Sequence, residues 1–273
     1  MPPARIHSTA VVHPDAHLEE NVEVGPFAVL GPQVKVGRGT VIGSHSVLEY
    51  AEIGPDCQIF PHAFVGTPPQ DMGYKGQPSG VMVGAGTVIR ECVTVHRSKH
   101  EGGVTRIGER CMLMAYSHVA HDCILGQGVI MANYTGLAGH VEIGDSAFLS
   151  GHIGVHQFVR IGKLVMISAG SMIGQDIAPF CTAQGDRSSL FGLNLIGLRR
   201  AGLKAADIAA LKSAYKTIFS LGLNLQEALE KLAGDPNPYV QHFTAFIQGS
   251  KRGLCRPLRT PAQESPLETG ERA

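Results

Sequence analysis

"IGERCM LMAYSH VAHDCI LGQGVI MANYTG LAGHVE", residues 107–142 written in sixes, decides the fold. The first residue of each six is a large aliphatic, and the fifth is small or β-branched. One short strand plus one tight turn is the natural unit. The aliphatic and small positions face inward, and the frequent second-place glycine is expected to supply backbone freedom at the turns. From Ile107 twelve units follow without a break, ending with the one that starts at Ile173. Upstream, the same register starts at Ile6, loses one residue at "LEYAE" (48–52) and resumes at Ile53. It departs after Val65, returns at Val83, departs again after Val95 and re-enters at Ile107. Three units make one triangular coil of 18 residues, stacked on the next at about 4.8 Å. The architecture is a parallel β-helix.

The period stops after Gln184. "KAADIAALKSAYKTIFSLG" carries apolar residues at helical spacing (Ile208, Leu211, Tyr215, Ile218, Phe219), "NLQEALEKLAGD" opens on a capping Asn, and "NPYVQHFTAFIQG" reads as a third helix. The expected class is mainly β. A β-helix spans 1–185, with excursions at about 67–82 and 96–106, and a small C-terminal helical cap spans 186–255. The polar, proline-containing stretch 256–273 is expected to be disordered.

Composition narrows the function classes. Lys+Arg and Asp+Glu each total 23 of 273 residues, so no overall field points to nucleic acid or a membrane surface. The six cysteines form no C-x-x-C pair and read as small buried hydrophobes in a reducing compartment. "MPPARIHSTAVV" has no apolar run long enough for a signal peptide or a membrane span, so a cytoplasmic location is expected.

The 18-residue coil gives the histidines a place. Alone, His118, His121 and Asp122 could be metal ligands, a proton-transfer pair or decoration on a repeat. Stacking puts His121 under Gly139 and then Gln157, Asp122 under His140, and Ala120 under Ala138 and His156. These groups converge on one edge within about 10 Å, two strand spacings. Gly139 leaves its backbone N–H uncovered beside a histidine. A base next to an open backbone donor is what acyl transfer requires: one takes a hydroxyl proton, the other stabilises the oxyanion.

"SHVAHDC", "LAGHVEIGD", "VHQF", "PQDMGY", "IRECVTVHR" and "AQGDRSSLFGLNLIGLRR", in that set, resemble the UDP-N-acetylglucosamine acyltransferase family of lipid A biosynthesis. The resemblance covers about residues 1–255. It implies a left-handed coil, a cytoplasmic homotrimer with the site between adjacent subunits, and no cofactor. The implied reaction moves a 3-hydroxyacyl group from the phosphopantetheine thioester of acyl carrier protein to the sugar 3-hydroxyl of the UDP-sugar. It also implies His121 as base, Asp122 as its orienting partner and the Gly139 N–H as oxyanion donor. Gln70, Asp71, His118, His140, His156, Gln157, Asn194 and Arg200 match substrate-binding residues. Ala169, in one column with Gly151 and Asn133, matches the position that measures acyl length. The sequence departs from the family at Gly73 (usually Lys), Ile196 (often Glu) and Ala201, all on the nucleotide or sugar side. His96 is read as shaping its loop. Lys204, Lys212, Lys216, Lys251 and Arg252 form a candidate surface for the acidic carrier protein.

Two alternatives stand beside this reading. One is an N-acyltransferase acting on a 3-amino UDP-sugar. The other is a zinc-dependent hydratase resembling the trimeric carbonic anhydrases, which share a similar β-helix. The leading expectation needs no metal.

Overall fold

The computed structural model describes residues 2–258. Its strands form three sheets of 11, 9 and 8 members, which are the faces of a triangular prism. Prism strands pair in parallel with the strand one coil later, as Met112 with Ile130, His118 with Gly136 and Ile124 with Glu142. The 11-stranded sheet ends in an antiparallel pair, Cys181–Gln184 with Ser189–Leu193. First-place aliphatics fill the interior, with Leu113, Val119, Leu125, Met131 and Leu137 at most 2% exposed. Fifth-place residues close the remaining space. Several of these are hydroxyls satisfied inside the prism, as Thr40 and Thr87 donate to the carbonyls of Gly54 and Gly108, whereas buried Ser117 Oγ has no partner among the described residues.

The glycines act differently from the sequence expectation. The left-handed backbone falls at the fourth place of most units, and mostly not on glycine. Tyr116, Asp122, Tyr134, His140 and Phe158 all have φ between 60° and 64°. Second-place glycines are needed for close approach instead. A Cβ on Gly37, Gly84 or Gly108 would lie 2.4–2.6 Å from backbone of the next coil. At these positions the turns pack so tightly coil upon coil that a side chain would strike the next coil.

The fourth-place corners present stacked columns outward. The Tyr116 and Tyr134 rings lie 5.1 Å apart, and those of His140 and Phe158 lie 4.6 Å apart. The excursions leave the prism after Phe64–Thr67 and after Thr94–His96, and return through Gly80–Val83 and Val104–Ile107, which pair with each other. Buried Arg97 ties both to the scaffold. It donates to the Gly66 carbonyl at 2.7 Å and to the Tyr74 hydroxyl at 3.0 Å, and its guanidinium lies over the Tyr50 ring.

The cap has four helices: α1 Leu195–Arg200, α2 Ala205–Phe219, α3 Leu225–Leu232 and α4 Pro238–Gln248. The sequence reading finds the last three. Six-residue α1, with a glycine inside it, is too short to declare a period. Asn224 and Glu227 form a reciprocal capping box at the start of α3. Leu211, Ile218, Val240 and Phe243 belong to the same core cluster as the prism interior, and buried Phe180 meets the Tyr239 ring of α4 edge-on. Of the expected disordered tail, Arg256 and Pro257 pair with Leu190, and 259–273 lies outside the described residues.

Candidate active site

His121 and Asp122 are adjacent third- and fourth-place residues, and the left-handed φ of Asp122 turns its carboxylate back along the corner. His121 Nδ1 lies 2.8 Å from Asp122 Oδ2. Donation from Nδ1–H to that carboxylate leaves Nε2 with the free lone pair. Asp122 is itself fixed: Ser98 donates to its Oδ1, the Lys99 N–H to its Oδ2, and its own N–H donates to Thr105. These bonds, together with His121 and His140, hold its carboxyl below the usual range even though burial opposes them.

The first excursion delivers Asp71 to the other side of the ring. Its Oδ2 is 3.5 Å from His121 Nε2 and 3.1 Å from Lys99 Nζ. The N–H of Gly73 donates to Oδ1 at 2.7 Å, and this bond is the first cause of a lowered Asp71 pKa, followed by Lys99. His121 therefore sits between two ionised carboxylates, only 9% exposed.

The His121 ring occupies the space above Gly139. A Cβ there would lie 2.4 Å from ring Cε1 and 2.7 Å from Nε2. The Gly139 N–H donates to no group among the described residues. The His121 imidazole and an open backbone donor thus share one slot, as the stacking implies. His140 stands beside them, edge-on to His121 at 5.2 Å and 3.8 Å from Asp122 through Nε2. Burial holds it neutral against the pull of Asp122.

A cleft of about 860 Å³ opens from this slot along the second face. Gln70, His96, His118 and His121 form one end, and Gly136, Gly154 and Met172 follow in one column toward Asp186 and Arg187. Gly136 and Gly154 present no side chain, so the floor is smooth and apolar. His118 is pinned by Thr94 at 2.7 Å. His156 lines the far wall and accepts from Arg252 at 2.8 Å, which places that arginine in the site's frame and not on a free carrier surface.

His96 departs from its expected role. It belongs to the strand Thr94–His96, is 5% exposed, lines the cleft, and its Nδ1 has no hydrogen-bond partner. Burial lowers its pKa to about 4, helped by His118 and His121. The excursion hides this from an 18-residue ruler, because Thr94 pairs with His118, 24 positions on. Ser98 and Lys99 were missed for the same reason.

Four of the expected residues neither line this cleft nor pair with His121 or Asp122. Gln157 is exposed outside it, and Ala169 is exposed at a turn. Asn194 caps α1, its Oδ1 accepting from the Gly197 N–H at 3.0 Å and its Nδ2 donating to the Leu164 carbonyl at 2.9 Å. Arg200 is exposed in the last turn of α1.

Fold and slot together define a hexapeptide-repeat transferase. The bacterial transferase hexapeptide model matches residues 15–50 and 105–139. The model for domain 2 of UDP N-acetylglucosamine O-acyltransferase matches 176–255. An acyl-[acyl-carrier-protein]–UDP-N-acetylglucosamine O-acyltransferase of Thermodesulfovibrio yellowstonii is 47% identical over 92% of this chain and 99% of its own. A Synechocystis protein of the same name is 49% identical over 73% of this chain and 72% of its own. The Francisella novicida UDP-N-acetylglucosamine acyltransferase structure superposes with a TM-score of 0.90 at 37% identity, covering 92% of this chain and 94% of that one. The chain belongs to the UDP-N-acetylglucosamine O-acyltransferase family, and its coil is the left-handed parallel β-helix of hexapeptide repeats.

Proposed function

We propose that this acyltransferase moves a 3-hydroxyacyl group from acyl carrier protein to the 3-hydroxyl of UDP-N-acetylglucosamine, the first step of lipid A biosynthesis, with His121 as general base. The observation that carries the reading is the shared slot: His121 Nε2 free, Nδ1 held by Asp122, and the Gly139 N–H open beside the ring. Nε2 takes the proton of the sugar hydroxyl as its oxygen attacks the thioester carbonyl. The Gly139 N–H receives the oxyanion of the tetrahedral intermediate. Collapse breaks the C–S bond, and the departing phosphopantetheine sulfur takes the proton back from the imidazolium. Asp122 and Asp71 both stabilise that cation. The chemistry asks for no cofactor beyond the donor's own thioester.

The smooth apolar floor at Gly136 and Gly154 suits the acyl chain, and in this reading Gln70, His118 and His156 on the cleft wall, with Asp71 and His140 beside His121, hold polar parts of the substrates. Asn194, Arg200, Gln157 and Ala169 fit a site shared between subunits of a homotrimer. That assembly is supported by apolar side chains exposed on the single chain, among them Val29, Val41, Phe64, Tyr116, Tyr134 and Phe148. Among the described residues no helix is long and apolar enough to cross a membrane, which accords with a cytoplasmic enzyme. The relatives' names specify O-acyl transfer and do not favour the amide-forming alternative.

Incubating purified protein with 3-hydroxyacyl carrier-protein thioesters of different lengths, against UDP-N-acetylglucosamine and its 3-amino analogue, tests the reading. An alkali-labile ester on the sugar 3-oxygen is expected. Amide formed on the amino sugar alone would reassign the acceptor.

A further inference from the structure

His100 has no part in the reaction above, yet the second excursion sets it against two residues that do. It lies 61% exposed, with Nε2 4.0 Å from Asp122 Oδ2. His140 Nε2 is 3.8 Å from the same oxygen, and the two imidazole rings are 5.7 Å apart. One ligand atom from each of His100, Asp122 and His140 lies within 4.8 Å of the others. We propose that these three side chains form a binding site for a divalent transition-metal ion of the Zn²⁺ class, and that its occupancy switches the enzyme off.

Two imidazoles and a carboxylate are a donor set that prefers Zn²⁺, Cu²⁺ or Ni²⁺ and discriminates against Mg²⁺ and Ca²⁺. Ligand distances of about 2.0–2.2 Å require shifts of about half an ångström from the present positions. His100 can supply most of that adjustment, being exposed on its loop, whereas His140 is held by stacking on Phe158 and Asp122 by Ser98. The nearby cation does not compete, because the Lys99 ammonium is directed to Asp71. Water or a solute completes the coordination sphere on the open side.

The switch follows from which oxygen is shared. Asp122 Oδ2 is the acceptor for His121 Nδ1. An ion on that oxygen withdraws the negative charge that stabilises the imidazolium, and it ties His140 away from the substrate. Removing the ion restores the pair intact, so the inhibition is reversible. This differs from a zinc hydratase, where the ion is required for turnover.

The inference rests on the reading of His121 and Asp122 as the base pair, and its test separates the two. Co²⁺ added to the full-length protein should give a visible d–d absorption saturating at one ion per chain, displaced by Zn²⁺ and unaffected by Mg²⁺. Micromolar Zn²⁺ should lower acyl transfer at least tenfold, with full recovery on chelation. His100→Ala and His100→Asn should keep basal turnover, lose the Co²⁺ spectrum and resist Zn²⁺. A wild-type protein with no Co²⁺ spectrum, or a His100 variant with an unchanged one, would overturn the site. Binding without inhibition would overturn the switch. Absence of acyl transfer in metal-free protein would instead count against the proposed function.

Discussion

At the scale of residues, one hydrogen bond carries most of the proposed chemistry. Asp122 fixes which nitrogen of His121 is free, and it does so from the next position in the chain. Asp122→Asn keeps the shape but offers an amide where a carboxylate stood. It should lower kcat by about tenfold to a thousandfold while KM for both substrates changes little. A variant with wild-type kcat would remove Asp122 from the mechanism. His96 tests the site through acid. Its folded pKa, about 4, lies below the ordinary 6.5, so between those values the unfolded chain binds the extra proton. Stability from this group is therefore full above pH 6.5 and is lost as pH falls toward 4. His118 and His140 shift in the same direction, also through burial. Melting temperature should fall steadily between pH 6.5 and 5, and less steeply in His96→Asn. Parallel curves for the two proteins would contradict the assignment. None of this was legible in the sequence at His96, because burial without a partner is not a pattern of residue types.

At the scale of elements, two glycines that look alike do opposite work. Gly108 is second in its unit, and a Cβ there would strike backbone of the next coil at 2.4 Å. Gly139 is third, and a Cβ there would strike the His121 ring at the same distance. Gly108→Ala should cost about 1–3 kcal/mol of stability through overpacking, and turnover per folded molecule should persist. Gly139→Ala should leave the melting temperature nearly unchanged and cut kcat at least a hundredfold, by displacing the ring and crowding the oxyanion donor. The opposite pairing of effects would mean that the slot is structural. Here the sequence was informative. A period of six requires that residue 121 meet residue 139, and that 122 meet 140, wherever the coil is unbroken. It failed where excursions interrupt the count, which is why Ser98 and Lys99 went unread beside Asp122. It also misplaced the reason for second-place glycines, since close approach between coils is invisible from one strand of sequence.

At the scale of the whole molecule, Ala169 and Arg200 have no partner in the cleft of one chain. In the proposed homotrimer the neighbouring subunit would supply what they face. Light scattering should give three times the 29.0 kDa chain mass, and dilution to monomer should abolish turnover. Ala169→Met should shift donor preference several carbons shorter in the trimer, and Ala169→Gly should shift it longer. Unchanged ranking with lower stability would make Ala169 merely a turn residue. Family resemblance, and not the period, pointed to these positions, because a repeat specifies its own stacking but not its neighbours.

The most direct test of the account is kcat/KM of His121→Ala, measured as acyl transfer to UDP-N-acetylglucosamine under prolonged chelation, with wild-type protein treated identically. The account predicts full wild-type activity without metal and a loss of about 10²–10⁴-fold in the variant, with its oligomeric state unchanged. A variant keeping more than about a tenth of the wild-type value, far above the general-base range, would contradict it.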